Sequence, residues 1–166
     1  MRKVAFPALR VLALMAVAVT AVSVACGGSG GIKDPEEIVV AEAIEFKIPG
    51  DMDELGVAGI DSVVGQWESE GLSLLLDYGA SSDSLGYTNK DGYRVTYLTI
   101  SDRKAVIERF MDPEVDTARP YVAAVYFEDA GEGKKLTIFG RAASENDQDL
   151  LLDIYRTLKW LDSGDA

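Results

Sequence analysis

The chain offers few side chains that do chemistry. It has no histidine, which excludes a Ser-His-Asp triad, a Cys-His pair and any His-ligated zinc or iron site. Its one cysteine is Cys26. The densest acidic loops hold Asp51, Asp53 and Glu54, and Asp112, Glu114 and Asp116. Neither has the layout of an EF-hand, with its central glycine and closing glutamate. In so acidic a chain such loops are expected from composition. Ser81, Ser82 and Ser84 precede Lys90, the pieces of a Ser/Lys nucleophile pair. A serine cluster between Gly79 and Gly86 reads first as a solvated turn. The glycine run at 27–31 opens no strand-to-helix unit and is not a phosphate loop. No catalytic residue, metal ligand or cofactor is assigned, and a hydrolase using carboxylates alone is the remaining enzymatic alternative.

Cys26 has a role of another kind, set by what precedes it. Arg2, Lys3 and Arg10 give the N-terminus positive charge, and residues 11–25 carry none. A charged start, a short apolar run and small residues before a cut describe a secretory signal. The run is shorter than the roughly 20 residues of a membrane-spanning helix, and a Gly/Ser spacer follows it. Val22-Ser23-Val24-Ala25-Cys26 resembles the lipobox of bacterial lipoproteins, with Ser23 where a large aliphatic residue is usual. The resemblance implies cleavage after Ala25 and a diacylglyceryl group on the Cys26 thiol. It also implies fatty acyl chains of the palmitate kind and a place on the cell membrane or outer membrane, outside the cytoplasm. Each buried CH₂ contributes about 0.8 kcal/mol, and two or three chains anchor a protein without a span.

Charge sharpens this reading. The full chain carries 16 basic and 28 acidic residues, a net of −12. Residues 1–25 hold three of the bases and no acid, so the mature part is at −15. Such a surface repels nucleic acid and anionic headgroups, so nucleic acid is excluded as a partner. The boundaries that follow are a signal peptide at 1–25, a lipidated cysteine and tether at 26–34, a single domain at 35–162, and a disordered tail at 163–166.

Within that domain the periodicity is mostly that of strands. Ile44, Phe46 and Ile48 alternate with polar residues up to Pro49. Asp34-Pro35-Glu36-Glu37 has the form of a helix cap just before them, and 51–62 reads as irregular. Hairpins are predicted at 63–78 and 93–111, separated by a long surface loop at 79–92. Residues 121–127 are apolar on both faces, the mark of a central strand, and 136–143 pair back onto them. Ser144 and Asp147 then form an approximate capping box. Leu150, Leu151, Ile154, Tyr155, Leu158 and Leu161 fall on one helical arc. The helix is predicted to end near Lys159, with Trp160 and Leu161 reaching a sheet edge. The fold class is therefore α+β: an antiparallel β-sheet of about six to eight strands packed against a C-terminal amphipathic helix.

This order of elements, with its ending Ile154-Tyr155-Arg156-Thr157-Leu158-Lys159-Trp160, resembles the PsbP-like sandwich. Asp61-Ser62-Val63-Val64-Gly65-Gln66-Trp67 and Asp77-Tyr78-Gly79 are similar to stretches of uncharacterised exported bacterial proteins. The first resemblance implies a non-catalytic domain that binds a protein partner or supports assembly at a membrane. Tyrosine and tryptophan favour interfaces, although strands favour them too. Tyr78 and Tyr87, beside or within the long loop, are the candidate interaction surface. Asp77 joins them as a carboxylate inside an apolar strand, expected either to face solvent or to pair with a neighbouring arginine, Arg94 or Arg141. The alternative is a lipoprotein that binds a small ligand in a pocket between sheet and loop.

Overall fold

The computed structural model describes residues 31–82 and 84–161. The signal peptide, Cys26 and the 163–166 tail lie outside the described residues. Among the described residues the fold is α+β, with ten strands in two antiparallel sheets and one C-terminal helix. The small sheet has the order β1 (Pro35–Val40), β2 (Ile44–Pro49), β10 (Lys159–Trp160). The large sheet is built from β3 (Asp53–Leu55), β4 (Ser62–Glu68), β5 (Leu72–Gly79), β6 (Asp91–Ile100), β7 (Arg103–Met111), β8 (Tyr121–Phe127) and β9 (Lys135–Ala142). Its seven strands run β3-β4-β5-β9-β8-β7-β6. Ten strands in two sheets replace the single sheet of about six to eight. The additions are short or at edges, where local pattern is weakest.

Two local expectations change. The Asp-Pro-Glu-Glu segment begins β1 instead of capping a helix. Ile38, Val39 and Val40 favour a strand, and all six residues pair with β2. The helix α1 (Glu145–Arg156) ends three residues earlier than its apolar face suggests. Thr157 caps it, its hydroxyl donating to the Ile154 carbonyl and accepting from the Lys47 N–H. That releases Lys159 and Trp160 to pair with β2, so the predicted extension to a sheet edge is present.

One face of the large sheet, the inner face, packs against α1 and the small sheet. Leu74, Leu76, Ala123, Val125, Leu136 and Ile138 form its floor, and each is at most 1 % exposed. Phe46 from β2 meets Trp67 edge-on at 5.5 Å. The helix lies close because Gly140 has no side chain: a Cβ there would stand 2.6 Å from Leu151 and 2.7 Å from the Tyr155 hydroxyl. Ser144 caps the helix start, its Oγ accepting the Asp147 N–H.

The outer face is covered by a consequence of topology. β5 and β6 are consecutive in sequence but lie on opposite sides of β9-β8-β7. Gly79 is level with Lys135, and Asp91 is level with Met111 at the far end of the sheet. Residues 80–90 must therefore cross the sheet diagonally, about 19 Å sideways and about 24 Å lengthwise. The contacts trace that path. Ser82 hydrogen-bonds Thr137 on β9 (2.7 Å), Tyr87 packs on Phe110 of β7 (ring centroids 4.9 Å), and Lys90 pairs with Asp112 (3.0 Å). The expected surface loop is a strap, and it buries Ser82 completely. It accounts for Val122 and Ala124 being buried on the face away from the core, so β8 is covered on both sides.

Candidate interaction surface

The residues singled out by sequence are not brought together as one surface. Tyr78 is 3 % exposed and belongs to the inner core, which removes it from any interface. It follows Asp77 by one residue in β5, and successive side chains of a strand face opposite ways. Asp77 is on the outer face, half-buried, with one carboxylate oxygen that has no hydrogen-bond partner. Neither expected arginine reaches it. Arg141 pairs with Asp112 (3.6 Å), and Arg94 faces the helix side with its cross-strand neighbour Arg109. Tyr87 is exposed at one edge and anchored by Phe110 at the other.

The other candidates are engaged internally. Ser82 is held by Thr137, and Lys90 by Asp112, so the Ser/Lys pair does not form. Asp112 is 5 % exposed and lies between Lys90 and Arg141. Asp116 accepts the backbone N–H groups of Ala118 and Arg119 and the Arg119 side chain. The Arg119 backbone bond is the chief reason its carboxyl is held below the usual range.

A different surface emerges beside the strap, at the open corner of the outer face. Tyr97 on β6, Val106 on β7 and Tyr126 on β8 stand directly opposite one another. Val106 is thus the floor of a cleft with a tyrosine on either side, two strand spacings or about 10 Å apart. The cleft has a volume of about 410 Å³, and Thr99, Lys104 and Glu128 are among its other lining residues. Tyr97 is 76 % exposed and neighbouring Val95 is 40 % exposed. The Tyr126 hydroxyl donates to Glu128, and burial followed by that carboxylate pushes its phenol up. Glu128, held low by Tyr126, also pairs with Lys135 at 3.4 Å. Its charge is thus matched without Lys104. Deeper on the same face, Glu108 is 8 % exposed, and burial and this carboxylate raise the Tyr93 phenol.

The cleft opens onto the edge of the sheet, since β6 is its last strand. The phase of the free backbone groups follows from the β6–β7 turn. Ser101 and Asp102 both have positive φ (45° and 66°), a two-residue turn closed by the pair Ile100–Arg103. The closing pair exchanges both backbone bonds, and such pairs alternate along the ladder. Ile100, Leu98, Thr96 and Arg94 therefore bond to β7. Thr99, Tyr97 and Val95 point their N–H and C=O groups away from the sheet. No strand among the described residues pairs with them.

Sequence reading missed this surface because Tyr97 and Tyr126 are 29 positions apart, and only register joins them. The available signal was the edge itself, a ten-residue strand with exposed side chains on both faces. Among the described residues, no helix is long and apolar enough to cross a membrane, and no group of three or more carboxylates is placed to hold a metal ion. Comparison with known proteins found no matching family model, no matching curated protein and no matching solved structure.

Proposed function

We propose that the chain is a lipid-anchored bacterial envelope protein whose folded domain is a non-catalytic module that binds a protein partner. The observation that carries the binding reading is the open edge of β6 beside the Tyr97–Tyr126 cleft. It joins exposed aromatic and β-branched side chains to unpaired backbone groups, two ingredients of peptide recognition by strand addition. Of the candidate chemical groups, Ser82, Lys90 and Asp112 are held in hydrogen bonds and ion pairs within the fold. The element order, with strand pairs first and a helix last, supports a kinship with PsbP-like sandwiches.

The anchor reading rests on the charged start, the uncharged run and Ala25-Cys26. Its test is fractionation of the full chain against Cys26→Ser. The parent is expected with membranes and the variant in the soluble fraction. A Cys26→Ser protein that still sediments with membranes overturns lipidation. The partner reading is tested by crosslinking the membrane-anchored protein through a photoreactive residue at Tyr97. A discrete adduct, absent when the photoreactive residue replaces exposed Ile60, is expected.

A further inference from the structure

The charge around β6 says what kind of segment fits there, an inference that rests on the partner-binding reading above. The chain as a whole is at −12, yet residues 93–109 hold Arg94, Arg103, Lys104 and Arg109 against only Asp102 and Glu108. Arg103 and Arg109 are matched by Asp129 (4.0 Å) and Asp149 (2.9 Å). Arg94 and Lys104 are in no ion pair among the described residues, although acids outnumber bases in the chain. They flank the open edge. Arg94 is on β6 and faces the helix side, and Lys104 is on β7 and lines the cleft.

We propose that β6 receives an extended acidic peptide segment of a partner protein, added to the large sheet as an eighth strand. The segment bonds to the outward N–H and C=O groups of Val95, Tyr97 and Thr99. Alternate side chains then fall on the two faces. Apolar ones lie beside Val95 and Tyr97 at the mouth of the cleft, and carboxylates lie beside Arg94 on the other side. A second copy of this chain is a poorer occupant. A two-fold β6–β6 pairing sets one net-positive hairpin against another and brings two strongly acidic domains together.

The test uses the full-length protein in neutral detergent and two labelled peptides that alternate valine with glutamate or valine with lysine. The glutamate peptide is expected to bind about tenfold or more tightly than the lysine peptide, and to weaken as salt is raised. Arg94→Glu should reverse the preference. Tyr97→Pro removes one outward N–H and leaves the bonds to β7 intact, as edge strands tolerate, and should abolish binding with the circular dichroism spectrum unchanged. Tyr97→Thr, which keeps that N–H, should retain part of it and guards against misfolding of the proline variant. Equal affinity for the two peptides, no binding of either, or a dimer that Tyr97→Pro dissolves would each overturn the proposal. A Tyr97 crosslink in membranes combined with equal peptide affinities leaves the partner reading standing and removes only the acidic strand. Loss of the crosslink removes both.

Discussion

Asp112 holds two cations from a site that is 5 % exposed, and its backbone N–H bonds to Pro120 at the mouth of the 112–120 loop. Removing a buried partner leaves its cations uncompensated, which costs about 3–5 kcal/mol. Asp112→Ala should therefore lower the urea midpoint strongly. Lys90→Met, which removes the more exposed of the two cations, should lower it by about 1 kcal/mol or less. A second residue-scale expectation concerns Tyr155, fully buried, whose hydroxyl donates to the Ala123 carbonyl at 2.7 Å. Burial pushes its phenol far above the ordinary 10.0. The unfolded chain releases this proton near pH 10 and the folded chain keeps it. The group's contribution to stability is complete below that pH and declines above it, by about 1.4 kcal/mol per pH unit. Tyr155→Phe should cost about 1 kcal/mol at pH 7 and flatten the fall in urea stability between pH 10 and 11.5. The raised phenols of Tyr93 and Tyr126 keep some slope in place.

At the scale of elements, α1 packs closely over Gly140. Gly140→Ala should push Leu151 and Tyr155 away from β9 and cost about 1–3 kcal/mol as an overpacked site, read as a lower thermal midpoint. Substitution of solvent-facing Gly86 by alanine, where no atom lies within 4 Å, strains only a positive-φ turn and serves as the comparison. Elements whose signal is local were legible in the sequence. The hairpins of β4–β5 and β6–β7 follow from alternation interrupted by turn residues, and α1 follows from its apolar face and Ser144. β1 was not legible, because Asp-Pro-Glu-Glu suits a helix start as well as a strand, and only pairing with β2 decides. The loop after β5 lies on the surface as expected, but its path over the outer face was not legible, because strand order decides whether a connection skirts a sheet or crosses it. Tyr78 and Asp77 show the same limit on a smaller scale. Alternation says that they face opposite ways, and the burial of Tyr78 identifies its face as the core.

On the scale of the whole molecule, the two layers leave the chain's charge unevenly spread. Carboxylates dominate the total, while the β6–β7 hairpin is net positive and sits at one edge. Surface attraction of this kind is screened within about 10 Å at 0.1 M salt, so it acts on a segment already lying along β6. The proposed lipid on Cys26 and the β6 edge belong to different ends of the chain's economy. In the proposed reading the first would fix where the domain is, and the second what it could hold there. The candidate site was illegible in the sequence because both its walls and its open edge are products of long-range pairing.

The strap sets a length requirement on the chain. Eleven residues reach at most about 40 Å, and the diagonal they cover is about 30 Å, so the slack is worth about three residues. A chain shortened by four between Gly79 and Asp91 no longer spans the sheet. It must release Ser82 from Thr137 or unzip the start of β6. Lengthening has no such penalty, since extra residues can bulge into solvent. Segment 80–90 thus acts as a ruler with a lower limit and no upper one, and it tolerates insertion far better than deletion.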